Sequence, residues 1–334
     1  MHVLVTGATG FVGRAAVGAL LSAGHEVGAL VRDPSRATGL VDERAELIAG
    51  SAMDQTAVRS ALEGRDALVQ AAGVYSYQRV DRARVLADTP ALARATLTAA
   101  RDAGTPRVVD VSTVLTFTTA VARIDETTRL VRPGDPTWGD PYIRAKVEAE
   151  QIGRELQAAG LPRVTIHPGA VFGPGDVGPG QSGSIAIGLM RGGSTTNGRL
   201  GFADVRDVAA AIVGALTAPT ASAYIVLAQP LTYREIAGRL DRLTGRRPRR
   251  RFIPHGALRV LARINDVAGG RLAPIPVAGA IEYILTNPPV IDGSRATRDL
   301  GVTYHDPDAT LTDAIRWWLA NGVIDRKLAG RLGA

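Results

Sequence analysis

The chain contains no cysteine. Disulfides, thiolate nucleophiles and cysteine-bound metals are therefore excluded. Lysine is nearly absent too: Lys146 and Lys327 stand alone, so the positive charge is almost all arginine. A formal net charge of +7 comes with only 4% aromatic residues, which gives no base-stacking platform. The arginines are scattered apart from the run Arg246 to Arg251, which reads as a solvated turn, and no nucleic-acid partner is expected. No two of the five histidines have the H-E-x-x-H spacing, so no metal site is expected. No apolar run reaches the ~20 residues of a membrane helix. Residues 1–24 are small and apolar but lack a basic leader, and a glycine pattern explains them better. The expectation is a cytoplasmic protein without membrane contact.

What is present points to an enzyme core. Of 334 residues, 46% are hydrophobic and 21% charged, enough for a sizeable interior. Strands are expected at Val3–Thr6, Glu26–Val31, Leu47–Ala49, Ala67–Ala71, Arg107–Val111 and Val164–His167. Helices are expected at Gly13–Ala23, Gln55–Glu63, Pro90–Ala103 and Pro141–Ala159. Near-continuous apolar strands alternating with helices mean a parallel sheet covered on both faces. The fold class expected is α/β, a doubly wound Rossmann sheet with a smaller C-terminal α/β substrate domain. Residues 1–170 with 202–218 are assigned to the first domain, and 171–201 with 219–334 to the second. In the second, a strand at Ala223–Leu227 precedes a helix at Thr232–Leu243 that a Thr232/Glu235 capping box opens. Trp317 and Trp318 of a terminal helix are expected to pack.

The first strand runs into Thr6-Gly7-Ala8-Thr9-Gly10-Phe11-Val12-Gly13. Gly7 allows the tight turn, Gly10 lets a pyrophosphate approach the backbone, and Gly13 lets the helix sit close to the sheet. The helix N-terminus offers free N–H groups to the phosphates. At the tip of the second strand stand Arg32, Ser35 and Arg36. A cation there pairs with a 2′-phosphate, whereas an acid would bind ribose hydroxyls, so NADP is favoured over NAD. Tyr142 and Lys146 are four residues apart in a predicted helix, one above the other and ~6 Å apart along the axis. The ammonium favours phenolate, which brings a group that titrates near pH ~10 toward neutral pH.

With these motifs in view the sequence resembles the short-chain dehydrogenase/reductase superfamily in its extended form. The resemblance also rests on Ala71-Ala72-Gly73, Val111-Ser112-Thr113, His167-Pro168-Gly169-Ala170-Val171-Phe172-Gly173-Pro174-Gly175, Asp204 to Ala209 and Asp299-Leu300-Gly301. It implies that Tyr142 exchanges the proton, that Lys146 assists it and holds the nicotinamide ribose, and that Thr113 orients the substrate. The cofactor would lie along Gly7, Thr9 to Gly13, Ala71, Ala72, Gly73, Val111 and Ser112. Pro168, Gly169 and Val171 would line the nicotinamide. The second strand ends Val31-Arg32-Asp33-Pro34, as in dihydroflavonol reductase-like members. The chain departs from the pattern at Ser51 (beside Ala52, where adenine is contacted), at Gln70 and at Thr89.

The reaction expected is reversible reduction of a ketone or aldehyde by NADPH. A nucleotide-sugar epimerase or dehydratase is the alternative, weakened because Val114-Leu115-Thr116 after Thr113 carries no acid and Phe117-Thr118 replaces a Tyr-Gly pair. A non-catalytic cofactor-binding regulator is a third reading. Substrate contacts are expected from Tyr75, Thr113, Tyr142 and Gly169, with Tyr77 and Trp138 as further candidates. A homodimer through helices 90–103 and 141–159 is implied by the resemblance.

Overall fold

Apolar runs of four to six residues make the strands, and polar caps start the helices between them. The computed structural model describes residues 1–74, 81–178, 180–267, 285 and 290–333. Its strands are β1 (His2–Thr6), β2 (Glu26–Val31), β3 (Glu46–Ala49), β4 (Ala67–Gln70), β5 (Arg107–Val111), β6 (Arg123–Ile124), β7 (Arg163–Pro168), β8 (Ala170–Phe172), β9 (Arg199–Asp204), β10 (Ala223–Val226), β11 (Gln229–Thr232) and β12 (Val290–Ile291). The helices are α1 (Phe11–Ser22), α2 (Pro34–Ala37), α3 (Gln55–Ala61), α4 (Arg82–Asp102), α5 (Pro141–Ala158), α6 (Gln181–Met190), α7 (Val205–Ala215), α8 (Tyr233–Thr244), α9 (His255–Val267), α10 (Ser294–Leu300), α11 (Pro307–Ala320) and α12 (Arg326–Ala329).

Seven parallel strands form the main sheet in the order β10-β7-β5-β4-β1-β2-β3. Strand alternation sends Val3 and Val5 into one core and Leu4 into another, and Val109 and Val108 divide likewise. α1 and α7 cover the first face, and α3, α4 and α5 cover the second. Both faces are therefore dry, as the unbroken apolar strands require. Strand order reverses about β1, which opens a crevice at the carboxyl edge between the ends of β1 and β4. The expected doubly wound α/β class is what the chain adopts.

Two expectations are corrected. The helix expected at Pro90 begins at Arg82, and Pro90 lies inside it. Proline forfeits one backbone bond, but Val85, Thr89, Leu92, Ala93, Thr96 and Leu97 are buried along α4 and hold it against the sheet. The second correction concerns the boundary at residue 219. β10 pairs with β7 as the seventh strand of the main sheet, because Tyr224, Ile225 and Val226 are wholly buried in its core. Ala296 and Val302 join the same core.

A second core gathers Phe172, Leu189, Phe202, Leu240, Leu311 and Trp318. Phe172 stacks on Phe202 with ring centroids 4.6 Å apart. A small sheet of β11, β9 and β8 supports it. Trp318 is fully buried, Trp317 partly so, and Thr232 and Glu235 form both halves of the capping box.

Candidate active site

A cavity of about 570 Å³ opens over the carboxyl edge of the main sheet, between it and the second core. Its floor is the glycine turn. Gly7 has φ +70°, and a Cβ there would stand 2.6 Å from the Ala72 nitrogen. A Cβ on Gly13 would stand 2.0 Å from the Gly7 carbonyl oxygen. Both positions admit only hydrogen, so the turn stays tight and α1 stays close. Gly10 precedes α1 and supplies no side-chain cap, so the first-turn N–H groups beside Phe11, Val12 and Gly13 face the cavity unpaired by side chains. Such a cradle fits a dinucleotide pyrophosphate.

Thr9 to Gly13, Ala71 to Gly73, Val111, Ser112, Pro168, Gly169 and Val171 all line this one cavity, and Gly7 lies beneath it. Arg32, Ser35, Arg36, Ser51 and Ala52 do not; they follow the ends of β2 and β3, outside the enclosed space. Asp33 caps α2, accepting from the Ser35 amide at 3.0 Å and the Ser35 hydroxyl at 2.6 Å. Those bonds hold its carboxyl below the usual range. The Ser35 proton is thereby committed, whereas Arg32 and Arg36 are exposed and neither has an ion pair within 4.0 Å among the described residues.

Thr113, Tyr142 and Lys146 meet on the cavity wall. Thr113 caps a short 3-10 turn, its hydroxyl oxygen accepting from the Leu115 amide at 3.3 Å. His167, buried and pushed down in pKa by that burial, donates from Nδ1 to the Thr113 carbonyl at 3.2 Å. Lys146 donates to the Val111 carbonyl at 3.1 Å. Burial lowers its pKa, and Asp110 and Glu150 oppose the shift. Beneath it Arg163, 1% exposed, donates to Asp110 at 2.8 Å and Glu150 at 2.7 Å. Gly153 makes room: a Cβ there would lie 2.5 Å from the guanidinium carbon. Burial works against the charge of Glu150, but Arg163 outweighs it and holds the carboxyl at about 2.

Asp140 caps α5, the helix that carries Tyr142 and Lys146. It accepts from the Ile143 amide at 2.9 Å, while its second oxygen is buried without a partner among the described residues. Burial pushes its carboxyl up to about 6. At the departures from the family pattern, Gln70 bonds Thr6 and the Ala72 carbonyl, whereas the buried Thr89 hydroxyl has no hydrogen bond among the described residues and lines a void of about 10 Å³ beside Lys146.

The sequence assigns the far wall to the second domain but singles out none of its residues. Arg14 reaches the Gly175 carbonyl and faces Asp176. Asp176, Gln181, Ser182, Leu200, Gly201 and Tyr233 come from after β8 and line the same cavity. Trp138 packs under Arg144, whose guanidinium is 5.3 Å from its ring, and does not line the cavity. Tyr75 and Tyr77 lie outside the described residues.

A family model described as the NAD dependent epimerase/dehydratase family matches residues 3–226. The chain belongs to that family. This epimerase/dehydratase-family chain is thus an NAD(P)-dependent oxidoreductase of the extended short-chain type, as its motifs implied. It is similar to Sterol demethylase protein B of Methylococcus capsulatus, 29% identical over 97% of this chain and all of that one. It is also similar to a putative dihydroflavonol 4-reductase of Synechocystis, 27% identical over 96% and 95% of the two chains. The solved structure of gox2253 superposes with TM-score 0.82 at 24% identity, covering 97% and 99%; that likeness speaks for the fold.

Proposed function

We propose that this enzyme reversibly reduces the ketone or aldehyde of an uncharged, largely apolar small molecule, using NADPH. The observation that carries the reading is the make-up of the cavity wall. Tyr142, Lys146 and Thr113 converge on it, and the only cationic side chains among its described lining residues are Arg14 and Lys146. A nucleotide-sugar substrate needs cations for its own diphosphate, and among the described residues none lines the wall that follows β8. Ile185 and Leu200 are there instead, and Val74 and Leu115 add apolar surface from the sheet-edge side. The names of the sterol- and dihydroflavonol-related proteins agree with an apolar substrate.

Gly7 and Thr9 to Gly13 would hold NADPH, whose chemistry there would be hydride donation to the carbonyl carbon. Tyr142 gives its phenolic proton to the carbonyl oxygen, and Lys146 stabilises the phenolate left behind. The Thr113 hydroxyl accepts from Leu115, so its proton is free to bind the same oxygen as charge develops. Arg32 and Arg36, exposed and without an ion pair among the described residues, fit a 2′-phosphate; Ser51 and Ala52 would lie beside the adenine. A homodimer through α4 and α5 and a cytoplasmic location belong to this reading.

The test is NADPH and NADH oxidation with aromatic, aliphatic and steroidal ketones, run beside a nucleotide-sugar epimerisation assay. NADPH consumption with a ketone is the expected result. Sugar turnover without net cofactor change replaces the proposal with the epimerase reading.

A further inference from the structure

The part of the cavity built after β8 carries polar groups that the proposed reaction does not use. Ser182, only 7% exposed, lies in the first turn of α6, and Tyr233 opens α8. Both side chains line the cavity, and among the described residues neither makes a hydrogen bond. Gln181, beside Ser182, is likewise without a partner. Apolar Ile185 and Leu200 line the same wall. Burial pushes the Tyr233 phenol well above its usual range, so it stays a protonated donor.

This is not an anion site. A helix N-terminus attracts negative charge, but α6 already has one there: both Asp176 oxygens lie 3.1 Å from the Gly180 amide. An added carboxylate or phosphate meets that charge. What is left over is a neutral hydrogen-bonding surface within an apolar wall. Leaving such groups unpaired once water is displaced is costly, so a ligand that satisfies them is selected over one that does not.

We propose that Tyr233 and Ser182 form a charge-free subsite that binds a second, uncharged oxygen of the substrate, such as an ester or keto carbonyl, apart from the carbonyl being reduced. The inference rests on the carbonyl-reductase reading for its substrate class. It does not depend on turnover for its test.

The test is calorimetric binding to the full chain saturated with NADP+. Alkanones are compared with keto esters of equal length whose ester group is stepped along the chain, and with the corresponding keto acids. At least one keto ester is expected to bind about 10- to 100-fold more tightly than its alkanone, which corresponds to one or two satisfied buried groups. Its keto acid is expected to bind more weakly than the ester. Tyr233→Phe and Ser182→Ala, each of which keeps the shape of the wall, are expected to bring the ester toward the alkanone's affinity. Equal affinities in every wild-type pair overturn the subsite, as does an ester preference that survives both substitutions, or no binding by any member. Preference for the ester without NADPH oxidation by any ketone overturns carbonyl reduction and leaves the subsite standing. Oxidation without preference does the reverse.

Discussion

The two walls of the cavity are made by different physics. The sheet-edge wall is set by steric necessity: Gly7 and Gly13 admit no side chain, and Tyr142 and Lys146 are spaced by one helical turn. The wall after β8 is set by packing of a second core, which brings Ser182 and Tyr233, 51 residues apart in sequence, to one cavity. In the proposed reaction the first wall does the chemistry and the second chooses the substrate. Substitutions on the first should therefore strike turnover, and those on the second should strike affinity.

The largest expected effect lies on the first wall. Tyr142→Phe should lower kcat/KM by roughly 10²- to 10⁴-fold, the usual worth of a positioned acid, with NADPH affinity measured by fluorescence titration nearly unchanged. A small loss of kcat/KM erases the contrast between the walls.

Next is the support beneath Lys146. Arg163→Met leaves Asp110 and Glu150 buried with their shared cation gone. Breaking a buried pair from one side costs about 3–5 kcal/mol, read as a lower urea midpoint. A neutral outcome means the cluster is better hydrated than its burial suggests.

The acids at either end of this machinery sharpen the comparison by opposite pH responses. Asp140 rises from the ordinary 3.8 to about 6, so the folded state favours its protonated form. Its contribution is fully present below pH ~4 and is lost as pH rises through about 6, a difference of about 3 kcal/mol at 1.36 per unit. Glu150 is held at about 2, so its contribution is present above pH ~4.3 and is lost as pH falls through about 2. Asp140→Asn keeps a good helix cap and should flatten the decline in stability between pH 4 and 6. A decline as steep as wild type's shows that Asp140 does not cause it.

The smallest expected effect is at the edge of the sheet. Arg32→Ala should weaken NADPH binding about 10-fold, the scale of one charge-assisted bond at an exposed site, and leave NADH binding near its starting value. Equal loss for both cofactors removes the 2′-phosphate role.

The legibility of the sequence follows the same division. The cradle, the strand–helix alternation and the Tyr142–Lys146 spacing are local, and each could be read from neighbouring residues. The partnership of Arg163 with Asp110 and Glu150 spans 53 and 13 residues, and nothing near Arg163 announces it except Gly153, whose missing side chain looks like an ordinary helix glycine. β10 reads as a strand from Ala223-Tyr224-Ile225-Val226, but which sheet it joins depends on β7. Pro90 looked like a helix start because proline favours one; the buried stripe on both sides of it outweighed that local preference. Ser182 and Tyr233 lie in unremarkable helix openings and become a site only when the second core folds.

Where the hydride goes decides between carbonyl reduction and every alternative reaction. NADPH deuterated at the transferred position of C4 should be consumed one-for-one with a ketone, and the alcohol product should carry one deuterium on its carbinol carbon by mass spectrometry. Unlabelled product, or turnover of a sugar nucleotide with the cofactor pool unchanged, would contradict carbonyl reduction.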